Sequence, residues 1–164
     1  MAKSPEKPVQ KLVCENRKAR HRYELLDKVE AGLMLTGSEV KACRLGRANL
    51  SDSYAKASRG ELFLLNCHIG PYPAAGPFQH EPLRSRKLLL HRLQLDRLEG
   101  KLSEKGLTLV PLRIYFNARG RAKVELALAR GKKTHDRRQE IAERESRRQM
   151  DRARKRSPKR FSGD

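Results

Sequence analysis

The sequence has no tryptophan, few other aromatic residues and no long apolar run. Aromatic side chains make up 5% of its 164 residues, a scarcity that argues against a surface that stacks broadly on single strands of nucleic acid. The densest apolar runs, LLL at 88–90 and LTLV at 107–110, are far shorter than the ~20 residues of a membrane-spanning helix. The opening MAKSPEKPVQK lacks the apolar centre of a secretory signal. We therefore expect a cytoplasmic protein with no membrane partner.

Cysteine and catalytic motifs are also scarce. Cys14, Cys43 and Cys67 are odd in number and widely spaced, so they form neither a disulfide framework nor a CxxC metal site. Reduced thiols, some of them buried, fit a cytosolic protein. The sequence has no HExxH, GxSxG or P-loop pattern. We predict no metal, no cofactor and no catalytic residue, although distant residues could still converge into an enzyme site.

Positive charge is what the sequence has in excess. Lysine and arginine total 38 against 19 aspartate and glutamate residues, which gives a net charge of +19. Such an excess favours a polyanionic partner. Because aromatic residues are few, structured RNA read by its shape and phosphates fits better than an RNA-recognition-motif sheet, which needs aromatic residues on its strands.

The chain divides into three parts by composition. Residues 1–11 are polar, contain two prolines and are predicted to be disordered. Residues 12–130 alternate apolar and polar side chains over short stretches, as antiparallel strands do. The predicted fold is mainly β with helices, an OB-like closed antiparallel barrel of about six strands. Residues 131–164 form a basic tail.

The first half of the barrel carries a strand and a short helix. A long strand is predicted from Tyr23, with Gly32 as a natural bulge or bend position. Thr36 and Glu39 fit a capping box, in which each side chain satisfies a free amide at the start of a helix. A helix is therefore predicted over 37–45, with Lys41 on its outward side.

Two hairpins and a longer helix follow. The first hairpin pairs 53–57 with 62–69, and a second hairpin spans 107–129 with Pro111 at an edge or a bulge. Residues 84–106 are predicted to be helical, with a leucine stripe packed on the core. The stripe consists of Leu88, Leu95, Leu98 and Leu102, joined by Leu89 and Leu93.

The tail changes in chemical character at Gly131. It holds 13 lysine or arginine residues against 6 aspartate or glutamate residues, and few apolar side chains. Its interleaved charges favour a helix, but an isolated helix of this kind is marginal in water. We predict a segment that is disordered when free and helical when bound.

One basic cluster, NRKARHRY at 16–23, is a candidate RNA-binding segment. Its cations suit phosphates, and Tyr23 offers a ring that stacks on a base or ribose. The alternatives are a solvated basic entry to a strand and a Tyr23 that belongs to the core. Glu30 either forms a salt bridge with a nearby lysine or accepts hydrogen bonds from base edges.

Six blocks of sequence, taken in order, resemble the SsrA-binding protein family, also called small protein B (SmpB). They are NRKARHRYEL (16–25), EAGLMLTGSEVKACRLGRANLSDSY (30–54), RKLLL (86–90), GLTLVPLRIYF (106–116), KVELALARGKK (123–133) and HDRR (135–138). The resemblance implies a six-strand OB-like barrel without catalytic activity. Members bind the tRNA-like end of transfer-messenger RNA and deliver it to stalled ribosomes, where the incomplete protein is tagged for degradation.

The resemblance also implies two sets of contact residues. The transfer-messenger RNA set is Asn16, Arg17, Lys18, Arg20, His21, Tyr23, Glu30, Gly32 and Lys41. The set that meets the decoding region and message channel of the small ribosomal subunit, and its ribosomal RNA, is Gly131, Lys132, Lys133, His135, Asp136, Arg137 and Arg138. We expect a monomer in a 1:1 RNA complex and no DNA partner. A ribosomal protein or general RNA chaperone is the alternative function.

Overall fold

The computed structural model describes residues 10–132 and 134–156. For residues 134–137, 140, 155 and 156, the description covers the backbone alone. The chain forms two compact units, one that ends at Gly131 and one that begins at Lys132. Residues 1–9, which the sequence predicts to be disordered, lie outside the described residues, and the first strand starts at Lys11.

Nine strands and three α-helices make up the described part of the first unit. The strands are β1 (Lys11–Glu15), β2 (Tyr23–Leu33), β3 (Ala48–Asn49), β4 (Tyr54–Ser58), β5 (Glu61–Leu65), β6 (His68–Ile69), β7 (Arg86–Leu89), β8 (Leu107–Phe116) and β9 (Ala122–Gly131). The helices are α1 (Ala19–Arg22), α2 (Gly37–Arg44) and α3 (Arg92–Leu102), and a 3₁₀ segment covers Pro73–Phe78.

Six antiparallel strands close into a ring. Their order is β8, β4, β5, β7, β2, β9 and back to β8, while β1 pairs with the C-terminal half of β8 and β3 pairs separately with β6. The predicted mainly β fold, with about six antiparallel strands that close on themselves, is confirmed.

The ring encloses the main core, and a second apolar cluster lies on the opposite face of β8 and β9. Side chains alternate across a strand, so Leu109 and Leu126 point into the main core while Val110 and Ala127 belong to the second cluster. Both faces of this hairpin are therefore buried. The second cluster includes Ala19, so α1 packs on this face of β8 and β9.

The second predicted hairpin and helix α2 are confirmed, and so is the turn of the first hairpin, but its predicted second arm over 62–69 is too long: β5 ends at Leu65, and His68–Ile69 pair with β3 instead. β4 and β5 pair in register around Arg59 and Gly60, which both have positive φ angles of 52° and 72°, as a tight two-residue hairpin turn requires. The register of β8 against β9 shifts just after Pro111, which places that proline at a bulge. At α2, the Thr36 amide donates a hydrogen bond to the Glu39 carboxylate at 2.8 Å.

The predicted helix over 84–106 is wrong in its first third. Residues Arg86–Leu89 form β7, paired with both β5 and β2, and α3 starts only at Arg92. Leu88 is buried, but Leu89 is 48% exposed because it lies on the other face of the strand. Leu93 is 73% exposed, so α3 packs on the core mainly through Leu95 and Leu98.

Of the bulge or bend predicted at Gly32, the bulge is wrong in position. The register of β2 against β9 shifts between Leu25 and Asp27, five to seven residues before the glycine. Gly32 instead lies where β2 passes from β9 to β7, and a Cβ built there would approach the Leu89 Cβ to 3.2 Å. A glycine therefore permits close approach of the two strands.

The second unit contains helix α4 (Thr134–Arg156). Its side chains from residue 141 to residue 154 are all exposed, so this part of the helix has no buried apolar stripe. The helix agrees with the predicted helical form of the tail, and disorder in the free protein stays a prediction. None of the helices within 10–132 and 134–156 is long and apolar enough to cross a membrane.

Candidate nucleic-acid interface

The short helix α1 and the two residues before it present a cluster of exposed polar side chains, four of them arginine or lysine, which we name the α1 cluster. Its members are Arg17, Lys18, Arg20, His21 and Arg22, and all five are exposed. The Arg17 side chain is 90% exposed, and its Nε lies 3.9 Å from Glu15 Oε2. Solvent screens an ion pair of this geometry strongly, so the charge of Arg17 stays available to a phosphate.

Asn16 fixes the chain just before this cluster. Its side-chain nitrogen donates to the carbonyl oxygens of Leu50 at 3.1 Å and Pro111 at 3.2 Å, and its backbone amide donates to Leu112 O at 2.7 Å. The Asn16 carbonyl in turn accepts a hydrogen bond from the Ala19 amide. The structure thus places Asn16 inside the protein, with 7% of the residue exposed, while its neighbours face outward.

Tyr23 is only partly a core residue, so its position fits both alternatives that the sequence left open, a ring that stacks on RNA and a core side chain. Its side chain is half-buried and packs with Leu25 against the second apolar cluster, beside Val110 and Ala129. The packed part belongs to the core, and the remaining part lies next to the exposed cations of α1. Tyr23 also pairs with Gly131 across β2 and β9, so the last residue of the first unit lies beside the α1 cluster.

Glu30 lies on the outer face of β2, among side chains from β8 and β9. Tyr115 donates its hydroxyl hydrogen to Glu30 Oε2, and Lys123 Nζ lies 3.7 Å from Glu30 Oε1. Burial and the bond to Glu30 raise the pKa of Tyr115, so its hydroxyl stays protonated and continues to donate. The salt bridge to a lysine that the sequence suggested is present, and the carboxylate is still half exposed.

A second carboxylate continues this network along β9. Glu125 accepts from Arg113 Nε at 2.6 Å and lies 3.1 Å from Lys28 Nζ. Burial alone would raise the pKa of Glu125, but the bonds from Lys28 and Arg113 outweigh it and lower that pKa. The outer face of β2, β9 and β8 therefore carries alternating charges that are largely paired with each other.

The nine predicted RNA-contact residues fall into separate places. Tyr23 and Glu30 are seven positions apart on β2, which corresponds to about 23 Å along an extended strand. The α1 cluster and Tyr23 lie together at one end of β2, whereas Glu30 and Gly32 lie toward its other end. Lys41 is exposed on α2. One RNA could reach all of these positions only if it extends over at least that length.

Glu39 is a buried and paired carboxylate, although the sequence pattern predicted for it only a role in the capping box of α2. It is fully buried, with Arg86 Nε at 2.9 Å and Arg84 Nη2 at 2.8 Å from its two carboxylate oxygens. Burial works against the charged form, yet the bonds from Arg84 and Thr36 and the charge of Arg86 lower the pKa of Glu39 to about 2. No local pattern predicts this arrangement, because both arginines are about 45 residues away.

The cysteines have the environment of structural residues. Burial raises the pKa of Cys14, Cys43 and Cys67 to about 12 in each case, so their thiols stay protonated at neutral pH and are poor nucleophiles. Within residues 10–132 and 134–156, no group of three or more His, Cys, Asp or Glu side chains is placed to hold a metal ion.

The predicted ribosome-contact residues straddle the boundary between the two units. Gly131 ends β9, Lys132 is partly buried, and Arg138 is exposed on α4. Lys133 lies outside the described residues, as do the side chains of His135, Asp136 and Arg137. Their predicted roles stay predictions.

A closed β ring that supports a cationic segment at one end, followed by a cationic helix, defines a protein suited to binding polyanions. The SmpB protein family matches residues 13–156 of the chain. An SsrA-binding protein from Symbiobacterium thermophilum is 60% identical over 141 residues, which cover 86% of this chain and 89% of that protein. The chain therefore belongs to the SmpB protein family.

Two further proteins show the same relationship. An SsrA-binding protein from Desulforudis audaxviator is 56% identical over 153 residues, which cover 93% of this chain and 97% of that protein. A solved structure described as "tmRNA-SmpB: a journey to the center of the bacterial ribosome" is 55% identical with a TM-score of 0.63, and it covers 74% of this chain and 85% of that chain.

Proposed function

We propose that this chain is a non-catalytic adaptor that binds the tRNA-like domain of transfer-messenger RNA and delivers it to stalled ribosomes. This process, trans-translation, tags the incomplete protein for degradation and frees the ribosome. The observation that carries the proposal is the 60% identity to an SsrA-binding protein over 141 residues. The solved tmRNA–SmpB structure with 55% identity supports the same partners.

The α1 cluster is the proposed centre of RNA binding. Its arginine and lysine side chains project from α1 and the two residues before it, and the second apolar cluster and Asn16 hold this backbone in place before RNA binds. Tyr23 adds a ring beside them. Glu30, Gly32 and Lys41 extend the proposed surface along β2 and onto α2.

The tail is the proposed ribosomal element. Residues 131–138 would reach the decoding region, and α4 would lie in the message channel of the small subunit. Messenger RNA normally occupies that channel, and arginine-rich helices suit an environment lined by RNA phosphates. The protein would act in the cytoplasm as a monomer in a 1:1 complex with its RNA.

A competition measurement tests the proposal. The full chain is bound to transfer-messenger RNA at ~0.2 M salt, where non-specific phosphate contacts are already weak, and is challenged with bulk tRNA. We expect the complex to persist at a large excess of tRNA. Equal displacement by unrelated tRNA would instead favour a general RNA chaperone or ribosomal protein.

A further inference from the structure

An open cleft lies where the first turn of α2 faces the 3₁₀ segment Pro73–Phe78. Its volume is about 490 Å³, within the usual range for small-molecule sites. It is lined by Thr36, Gly37, Ser38, Lys41, Tyr72, Ala74, Ala75, Phe78 and Gln79. We propose that this cleft, the Tyr72 cleft, binds an unpaired nucleobase of the RNA partner. The proposal rests on the RNA-binding function proposed above.

Two aromatic rings border the Tyr72 cleft in a chain that has few aromatic residues. Phe78 is 83% exposed, whereas Tyr72 is half-buried because it packs against the main core. Every base has a π-face that can stack on an aromatic ring, and such stacking does not depend on sequence. Phe78 is the ring with free area, so it is the residue assigned to stack on the base.

Hydrogen bonds hold the aromatic segment in a fixed shape. The Tyr72 amide donates to Gln79 Oε1 at 3.0 Å, and Gln79 Nε2 donates back to the Tyr72 carbonyl at 2.9 Å. The next residue, His80, is buried, and its Nε2 donates to the Ile69 carbonyl at 3.0 Å. His80 Nδ1 also forms a hydrogen bond with Ser38 Oγ, 2.9 Å away, which ties the segment to α2. A rigid binding surface loses less conformational entropy on association.

A cation beside an exposed aromatic ring favours an RNA over an acidic peptide as the occupant. Lys41 Nζ lies 5.4 Å from the centre of the Tyr72 ring, and Arg44 is exposed one turn further along α2. Glu39, the one carboxylate of α2, is fully buried and paired with two arginines. The exposed side of α2 is therefore cationic. Every nucleotide offers both a phosphate for Lys41 and an aromatic face for Phe78, whereas a peptide needs an acidic and an aromatic residue at matching positions to offer both.

A single-tryptophan variant tests stacking directly. The sequence has no tryptophan, so Phe78→Trp introduces the only indole fluorophore of the chain. We expect transfer-messenger RNA to quench its emission strongly. Leu83→Trp is the matched control, because Leu83 is 54% exposed in the same connection but does not line the Tyr72 cleft. Its emission should change little.

Affinity measurements complete the test. Phe78→Ala should weaken RNA binding about fivefold or more, the usual effect of losing one stacked base, while Phe78→Trp should retain binding. Lys41→Gln should weaken binding and reduce its salt dependence. Phe78→Leu keeps an apolar side chain without a ring. Full affinity in that variant, or an unquenched Phe78→Trp, overturns the stacking assignment.

Two outcomes separate this inference from the proposed function. Arg17→Ala with Arg20→Ala is measured in parallel. If that double variant loses affinity while Phe78→Ala binds normally, the Tyr72 cleft is not an RNA site and the adaptor proposal stands. If neither variant loses affinity, the proposed RNA surface fails as well. A photo-crosslinking phenylalanine analogue at position 78 that reaches only protein in ribosome complexes would assign the cleft to a protein partner and overturn the inference.

Discussion

Asn16 is a buried residue beneath the exposed α1 cluster, and its side-chain nitrogen donates to two backbone carbonyls. We predict that it acts as a positioning residue for RNA binding. Asn16→Asp keeps the shape of the side chain but removes both donors and adds a buried charge. The free energy of unfolding should fall by about 1–3 kcal/mol or more, and RNA affinity should fall with it. Thermal unfolding and RNA titration measure the two effects.

Hydrogen exchange distinguishes positioning from direct contact at Asn16. The Ala19 amide donates to the Asn16 carbonyl, so loosening of residue 16 should speed exchange at Ala19 in the RNA-free protein. A variant that lost affinity with normal exchange and stability would point to a direct RNA contact. The sequence could not predict the burial, because the two carbonyl partners are 34 and 95 residues away.

Glu39 gives the protein a defined sensitivity to acid. Its pKa is about 2 in the folded state against an ordinary value of 4.5, so the folded state favours the charged form. The resulting stability is fully present above about pH 4.5 and is lost as the pH falls toward 2. A shift of this size corresponds to about 3 kcal/mol. We predict that Glu39→Gln lowers the free energy of unfolding by about that amount at pH 7, and that the difference from wild type shrinks in this pH window.

Glu61→Gln is the matched control for this prediction. Glu61 pairs with Lys87, but both side chains are at least one third exposed, so solvent screens the pair. Its loss should change stability by less than about 1 kcal/mol. Equal effects of the two variants in urea unfolding would mean that the buried pairing of Glu39 adds nothing.

At the scale of elements, α1 and the residues before it carry positive charge on a segment that packs against the second apolar cluster. We predict that Arg17→Ala with Arg20→Ala weakens RNA binding and reduces the slope of log affinity against log salt by roughly 1 to 2, since two phosphate contacts are lost. Arg97→Ala with Lys105→Ala removes the same charge from exposed positions on and after α3. That pair should leave the slope nearly unchanged. An equal drop in both slopes would show that net charge, and not the α1 cluster, governs binding.

Elements were predictable where their partners are close in sequence. The β8–β9 hairpin follows from alternation and an Asn-Ala-Arg-Gly turn, because each strand pairs with its neighbour. The region around Leu88 was assigned to a helix because leucines recur there at helical spacing. Its strand form depends on pairing with β5 and β2, which lie more than 20 residues away, and local periodicity carries no information on that pairing.

At the scale of the molecule, the amino-acid composition changes at the start of the tail. The pairing of β2 with β9 shows more closely where the chain can be truncated. The sequence placed the end of the ring near residue 130, whereas β9 runs to Gly131 and pairs there with Tyr23. The binding surfaces could not be assembled from the sequence in the same way, since the predicted contacts lie on α1, on both ends of β2 and on α2. Their relative placement depends on the closed ring.

The last strand pair predicts different outcomes for two truncations. A chain that ends at Gly131 keeps every β2–β9 pair, so it should fold and bind transfer-messenger RNA at ~0.2 M salt nearly as the full chain does, yet fail in peptide tagging. A chain that ends at Ala129 loses the Tyr23–Gly131 and Glu24–Arg130 pairs beside the α1 cluster. It should melt at a lower temperature and bind RNA more weakly. Tagging by the Gly131 truncation would remove the tail from the proposed ribosomal role, whereas its failure to fold would show that α4 stabilises the ring.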